Sequence, residues 1–196
     1  MLELDVHVLT ASDTPCDWQN QCLVSIRNAV KYATFPVHIH VVDAIPGNQG
    51  AARAAGYAAG TAPWKTYVDD DDIVLPDAFE ILGRHLEVTD AAAVMPREYA
   101  MQNGQIITRM HRRHHLNCYR ADVVQAFDFG AWKAMADLAL QLSTMRDPRG
   151  VLDIDDAIYI HRLYANSGGR RLRARHPAER ERIVAMFGPS EGTNNG

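Results

Sequence analysis

The first 69 residues alternate between strand-like and helix-like periodicity, and this alternation constrains the fold more than any other feature. Apolar and polar residues alternate over residues 2–8 and again over residues 37–43, which predicts two strands. Between them, an apolar residue recurs every four positions over residues 18–30, which predicts an amphipathic helix. An alanine-rich helix over residues 51–59 and a short apolar strand over residues 66–68 complete a β-α-β-α-β order.

Strands separated by helices of this length are typical of a parallel sheet with helices on both faces. We therefore predict an α/β fold with one domain and a mostly parallel, Rossmann-like sheet. Ligands of such sheets bind at the carboxyl ends of the strands. Thr10, Asp43 and the aspartate run Asp69 to Asp72 all fall at that edge in the predicted order.

The rest of the chain predicts further elements of the same domain. A helix begins at Pro76 and reaches about Leu86, a buried strand covers residues 91–95, and a hairpin turns around Asn103 and Gly104. Residues 121–145 are predicted to be largely helical, and residues 153–166 to form another helix that acidic residues open. We place the domain at residues 1–187, followed by a loose tail over residues 188–196.

Composition narrows the class of protein. An apolar content of 47% and a charged content of 22% suit one well-cored globular domain. No apolar run has the length of a membrane span and the amino terminus lacks a signal-type core, so we expect a cytoplasmic protein with no membrane partner. Three cysteines without paired spacing predict neither a disulfide framework nor a cysteine zinc site.

Charge divides the chain into two unlike halves. Residues 1–108 carry 6 basic and 14 acidic side chains, whereas residues 109–196 carry 14 basic and 10 acidic side chains. An acidic half suits metal binding, and an arginine-rich half suits phosphate or another anion, although arginine-rich composition can equally reflect the base content of the genome.

The four consecutive aspartates after the third predicted strand are the strongest candidate metal site. Adjacent carboxylates repel one another unless water or a cation neutralises them. Side chains alternate along an extended strand end, so Asp69 and Asp71 lie on the same side and can share one hard divalent ion. The alternative interpretation is a solvated acidic turn.

At these motifs the chain resembles the inverting GT-A glycosyltransferases of family 2. The family shows a strand ending in Asp, a glycine and Ala-Arg segment, and a strand ending in Asp-x-Asp-Asp with proline a few residues on. Here Asp43, GNQGAARAAGYAAG and YVDDDDIVLP follow in that order. The family also has an acidic pair on a helix with Arg six positions later, to which Asp155, Asp156 and Arg162 correspond.

The resemblance implies metal-dependent transfer of a sugar, with inversion, from a nucleotide-sugar donor, most simply a UDP-sugar, to a hydroxyl acceptor. Mn²⁺ or Mg²⁺ would be held by Asp71 and Asp69, with His176 as a third protein ligand. Asp156, supported by Asp155, would act as general base on the acceptor. The residues that the resemblance places around the donor are Thr10, Asp43, Arg53, Asp69 and Asp70.

A basic loop over residues 109–120 contains three histidines, His111, His114 and His115. Adjacent arginines disfavour a cation there, so we interpret the loop as facing an anion or the acceptor. The residues assigned to this surface are Arg112, Arg113, His114 and Arg162. The acceptor is expected to be a saccharide or small molecule, and a hydroxylated base in DNA is a further possibility.

Two departures from the family pattern bear on function. Residues DAIPG stand where the family has Asp-Asp-Gly-Ser, which leaves one aspartate for base recognition. No QxxRW sequence occurs, which argues for one transfer per encounter instead of processive synthesis.

Two other functions fit parts of the sequence. Haloacid dehalogenase-like phosphatases also use Asp-x-Asp after a strand, but on the first strand and with a downstream lysine, for which only Lys133 is available. A nucleic-acid-binding module could use the basic second half. An EF-hand is excluded because Val74 stands where its loop needs glycine.

Overall fold

The computed structural model describes residues 1–110, 115–164 and 174–188, with the side chains of residues 109 and 110 excepted. Eight strands in this part of the chain form one sheet. They are β1 Leu4–Thr10, β2 Val37–Asp43, β3 Trp64–Asp69, β4 Ile73–Val74, β5 Ala93–Gln102, β6 Gln105–Met110, β7 Cys118–Arg120 and β8 Val151–Arg162. The helices are α1 Cys16–Val30, α2 Gln49–Ala58, α3 Ala78–Leu86, α4 Ala121–Ala126, α5 Ala136–Thr144 and α6 Pro177–Phe187.

The sheet has the order β2-β1-β3-β7-β5-β8-β4, with β6 paired to β5. β1 pairs in parallel with both β2 and β3, as the β-α-β-α-β prediction requires. β8 pairs in parallel with β5, whereas β7, β6 and β4 form antiparallel pairs. The predicted α/β class with one helix-flanked sheet is confirmed, and its two halves are joined through the short antiparallel strand β7.

Helices cover both faces of the sheet, and each face carries its own cluster of buried apolar side chains. On one face, Val6 and Val8 of β1 pack with Ile26 of α1 and Leu82 of α3. The other face carries a second cluster from α2, α4, α5 and α6, in which Tyr67 of β3 is fully buried. This two-sided cover leaves the strand ends as the open edge of the sheet.

The predicted helix over residues 153–166 is wrong, because residues 151–162 form the long strand β8. β8 lies between β5 and β4, and Ile158 and Tyr159 are fully buried within it. β-branched and aromatic side chains fit such a packed, pleated surface better than a helix. Asp155 and Asp156 are therefore exposed strand residues and lie at no helix N-terminus.

The hairpin predicted around Asn103 and Gly104 is confirmed as the connection between β5 and β6. Both residues have positive φ, 50° and 77°, which matches the turn that suits the twist of paired strands. No helix in the described part of the chain is long and apolar enough to cross a membrane.

Candidate active site at the carboxyl edge of the sheet

The carboxyl ends of β1, β2 and β3 bring the predicted donor residues to one edge. Thr10 and Asp43 are register partners, and the Thr10 hydroxyl donates to Asp43 Oδ1 at 3.2 Å. Leu9 is the register partner of Asp69, so the aspartate run begins beside them. The predicted grouping of Thr10, Asp43 and the aspartates at this edge is confirmed.

Asp70 holds the loop between β1 and α1. Its carboxylate accepts hydrogen bonds from the Ala11 backbone N–H at 2.7 Å, the Thr14 hydroxyl at 2.9 Å and the Gln19 amide at 2.8 Å. Because the residue is only 4% exposed, these bonds satisfy a buried group. Asp70 thus positions the loop that follows Thr10, and the structure does not show it as the direct donor contact that the sequence suggested.

Asp72 is fully buried and fixes the end of β8. It accepts hydrogen bonds from the Tyr159 hydroxyl at 2.8 Å and the Arg162 backbone N–H at 2.7 Å, and it contacts His161 Nδ1 at 3.1 Å. Burial by itself would lower the pKa of His161, but the hydrogen bond and negative charge of Asp72 outweigh it and raise the pKa to about 9. Asp72 is therefore a buried carboxylate that favours the protonated form of the partly exposed His161.

Asp71 carries the signature of a cation site. Burial first, and then the charges of Asp72 and Asp69, raise the pKa of Asp71 to about 7. Tyr164 donates to its Oδ2 at 2.7 Å. Neighbouring carboxylates repel one another and a divalent cation relieves that repulsion, so Asp71 and Asp69 fit the predicted Mn²⁺ or Mg²⁺.

Asp69 is tied to a buried ion-pair network that the sequence reasoning did not foresee. Arg53 Nη2 donates to Asp69 Oδ1 at 2.5 Å, and the same guanidinium donates to Asp137 at 2.7 and 3.1 Å. Arg53 lies 3.5 Å from the centroid of the Tyr67 ring and is 1% exposed, which gives it no open face for a donor. Arg53 therefore orients Asp69 instead of contacting the donor directly.

Asp137 is the main acidic residue that the sequence analysis missed. It lies in the first turn of α5, is 3% exposed and also accepts from the Gln49 amide at 2.8 Å. The family resemblance implies an acidic pair on a helix with Arg six positions later; α5 has a single aspartate in its first turn and Ser143 at the arginine position, so Asp137 does not match that motif. The available signal was Asp137 at the start of the apolar run LALQL.

His115 joins the site from the other side. Its Nδ1 lies 2.7 Å from Glu98 Oε2, and its Nε2 lies 3.6 Å from Asp69 Oδ2. The ring stacks on His161 with centroids 4.4 Å apart and planes inclined by 20°. Burial first, and then the neighbouring His161, lower the pKa of His115 to about 4, so this histidine is neutral at physiological pH.

Ligand atoms of Asp72, His115 and His161 lie within 4.8 Å of one another, which is close enough for a three-ligand metal site. The ring planes argue against this use. A histidine nitrogen binds a metal through a lone pair in its ring plane, and stacked rings do not direct those lone pairs at one point. Asp72 also already accepts from Tyr159 and Arg162. We therefore interpret Asp72 and His161 as a hydrogen-bonded support for the aspartate run, against which the His115 ring stacks.

Several predicted residues do not lie where the sequence placed them. Arg162 is 8% exposed and donates to the Asp71 carbonyl at 2.6 Å and to Gln21, so it supports the aspartate run and does not face an acceptor. Asp155 forms an ion pair with Arg97 of β5. The catalytic roles of Asp155 and Asp156 stay predictions, although the helix that the sequence predicted for these residues is a strand.

His176 immediately precedes α6 and is half-buried. α6 packs its Ile183 into the cluster around α5, and Glu179 accepts from the backbone N–H groups of residues 133–135. Among the residues that the structure covers, no hydrogen bond or ion pair links His176 to the aspartates, and its role as a metal ligand stays a prediction. Arg112, Arg113 and His114 lie outside the described residues.

Comparisons with known proteins agree with this architecture. The model of the family "Glycosyl transferase family 2" matches residues 25–140. A search of curated proteins found no match. Among solved structures, S. aureus TarS 1–349 in complex with UDP-GlcNAc is similar with a TM-score of 0.65 at 12% identity, over 86% of this chain and 61% of that one.

The same TarS fragment in complex with UDP gives a TM-score of 0.63 at 12% identity, over 95% of this chain and 70% of that one. The structure of TarS 1–349 whose description names no ligand gives a TM-score of 0.64 at 11% identity, over 82% of this chain and 60% of that one. The chain thus spans about six-tenths of the TarS fragment in the comparisons with the UDP-GlcNAc complex and with the structure that names no ligand. At this identity the likeness shows the fold, whereas the family match covers more than half of the chain. The chain belongs to glycosyl transferase family 2.

Proposed function

We propose that this chain transfers a sugar from a nucleotide-sugar donor, with a UDP-sugar as the first candidate, to a hydroxyl acceptor in a metal-dependent, inverting and non-processive reaction. Membership of glycosyl transferase family 2 and the UDP and UDP-GlcNAc complexes of TarS support the donor class. The observation that carries the proposal is geometric: the aspartate run that contains Asp69 and Asp71 begins at the end of β3, at the same sheet edge as Thr10 and Asp43.

The donor nucleotide would lie along the ends of β1 and β2. The Thr10 hydroxyl and Asp43 carboxylate form a polar pair there, suited to hydrogen-bond the N–H and O groups of a base. Asp70 keeps the following loop in place through its bonds to Ala11, Thr14 and Gln19. This preorganised edge would give the nucleotide a fixed orientation before the sugar reacts.

The diphosphate would lie against Asp69 and Asp71. Asp71, fixed by Tyr164, and Asp69, fixed by Arg53, would hold Mn²⁺ or Mg²⁺. A bound divalent ion supplies positive charge that offsets the negative charge growing on the departing diphosphate. Arg162 and Asp72 contribute by holding the backbone of the aspartate run and the end of β8 together.

The acceptor hydroxyl must lose a proton as its oxygen attacks the anomeric carbon from the face opposite the diphosphate. Asp156 stays our candidate for the group that takes this proton on the family resemblance alone, and its carboxylate is exposed on β8. Asp155 is held by Arg97 and is the less suitable of the two. Asp137 is locked by Arg53, so we assign it a positioning role.

The phosphatase alternative lacks support at the site. Its motif needs a lysine beside the aspartates, whereas Lys133 is exposed and its backbone N–H binds Glu179 of α6. The aspartates also follow the third strand instead of the first. Of the alternatives weighed, glycosyl transfer is the one that the family match and the site chemistry both support.

Calorimetric titration with a panel of nucleotide sugars, with and without Mn²⁺, tests the proposal. We expect one UDP-sugar to bind with a heat signal that requires the ion, and Asp71→Asn to lose that requirement together with most of the affinity. Asp43→Asn in the presence of Mn²⁺ should weaken binding of the nucleotide while the ion still binds. Equal binding of all donors with and without Mn²⁺ would refute the proposal.

A further inference from the structure

His115 occupies a position from which it can act on the metal site, and its geometry is unusual. It lies just before β7, is 5% exposed, and is followed by Leu116 with a φ of 54°. A bulky non-glycine residue rarely adopts this left-handed conformation, and such strain persists where the surrounding structure enforces it. The His115 ring lies between Glu98 and Asp69.

Glu98 determines which nitrogen of His115 carries a proton. The carboxyl group is 1% exposed and lies 2.7 Å from Nδ1. An ionised carboxylate can only accept, so this contact favours the tautomer that has its proton on Nδ1 and its lone pair on Nε2. A metal-binding histidine commonly has this arrangement, in which a carboxylate accepts from one ring nitrogen and the other faces the ion. Glu98 is thus suited to be the positioning residue of a histidine ligand.

The distance between His115 and Asp69 fits one shared ion. Nε2 lies 3.6 Å from Asp69 Oδ2. Metal–ligand bonds of about 2.0–2.2 Å place two ligands of the same ion roughly 3 to 3.6 Å apart. Arg53 holds the other oxygen of Asp69, which keeps Oδ2 turned toward His115. The Asp69 side chain is 31% exposed, so an ion can reach this gap.

We propose that His115 Nε2 is a nitrogen ligand of the divalent cation held by the aspartates, and that it makes the site selective for a transition metal over Mg²⁺. This inference rests on the proposed function. It replaces our interpretation of the histidine-rich loop as wholly anion-facing, and it offers a buried histidine where the sequence suggested His176. Imidazole suits transition-metal ions such as Zn²⁺, Fe²⁺ or Ni²⁺, whereas Mg²⁺ prefers oxygen ligands; Mn²⁺ also favours oxygen but is a transition-metal ion that can take a nitrogen ligand.

Pulsed electron paramagnetic resonance of bound Mn²⁺ tests the inference directly, because it detects a coordinated nitrogen without any turnover. We expect ¹⁴N modulation in the Mn²⁺ form of the wild-type chain and its loss in His115→Gln, whose amide can still bond to Glu98. The matched control His176→Gln should keep the modulation. Persistence of the nitrogen signal in His115→Gln, or its loss only in His176→Gln, would overturn the assignment.

Metal titration gives a second readout and guards against unfolding. We expect His115→Gln to bind Mn²⁺ at least about tenfold more weakly than the wild type, with Mg²⁺ affinity changed by less than about threefold. Glu98→Gln should weaken Mn²⁺ binding about tenfold by making the imidazole less basic. Circular dichroism without metal confirms that each variant is folded, and Mg²⁺ binding shows that its carboxylates are intact.

Failure of this inference is distinguishable from failure of the proposed function. If Mn²⁺ and a UDP-sugar bind together but no nitrogen signal appears, the histidine ligand is refuted and glycosyl transfer stands. If neither binds to the folded wild-type chain, the proposed function fails, and with it the role of His115.

Discussion

The buried ion pair between Arg53 and Asp137 makes a sharp prediction about stability. Their side chains are 1% and 3% exposed, and two charge-assisted hydrogen bonds of 2.7 and 3.1 Å join them. Asp137→Asn keeps the shape but turns an amide toward the guanidinium, which leaves Arg53 with Asp69 as its remaining carboxylate partner. Removing one member of a buried pair typically costs about 3–5 kcal/mol of unfolding free energy.

Urea denaturation in EDTA measures this loss. Glu80→Gln is the matched control, because Glu80 pairs with Arg84 on the exposed face of α3 and such pairs contribute about 0.3–0.5 kcal/mol. The double variant Arg53→Met/Asp137→Leu removes both charges and should be more stable than Asp137→Asn by at least about 1 kcal/mol. A loss below about 1 kcal/mol in Asp137→Asn, or a double variant less stable than it, would refute the reasoning.

Three further predictions concern the site. Asp71→Asn should abolish the effect of Mn²⁺ on the melting temperature measured with a UDP-sugar, and an unchanged effect would move the metal elsewhere. Asp156→Asn should bind donor normally yet lower kcat at least about a hundredfold, while the control Asp155→Asn should keep most activity. If steady-state assays show the same loss of kcat in both variants, Asp156 is not the general base. The pKa of His161 is raised from 6.5 to about 9, so its protonation stabilises the fold below pH 6.5 and this contribution is lost as the pH rises through about 9. The free energy of unfolding from urea denaturation in EDTA should therefore fall over that window by on the order of 1–2 kcal/mol. The fall should be smaller in His161→Gln, and parallel curves for the two chains would contradict the assignment.

The first half of the fold could be predicted because its signals are local. The alternation in β1 and β2 and the four-residue stripe of α1 each report which side chains face the core. The placement of Thr10, Asp43 and the aspartates then follows from the direction of parallel strands. The strand order and strand direction were enough to predict that these residues meet at one edge, without knowledge of any long-range contact.

β8 could not be predicted in the same way, because its structure depends on distant partners. It pairs with β5 and with the two-residue strand β4, and the acidic residues 153, 155 and 156 resemble the start of a helix. The run AIYI, rich in β-branched and aromatic residues, was the local sign of a strand. Pairing in the folded sheet outweighed the helix-like acidic start.

The roles of individual site residues depended on contacts that no sequence spacing shows. Arg53 was expected at the donor, and the structure turns it inward because Asp137, 84 positions away, binds it. His115 was grouped with its arginine neighbours along the sequence, yet its ring lies beside Glu98 and Asp69. Charge along the sequence was therefore a poor guide to charge around the site.

Anomalous X-ray diffraction from crystals soaked with Mn²⁺ and a UDP-sugar is the most direct test of the account. We expect one manganese peak within bonding distance of Asp69 and Asp71, with the diphosphate on its open side and the base beside Thr10 and Asp43. A bound nucleotide with no manganese at these carboxylates, or manganese bound only at another part of the chain, would contradict the central claim.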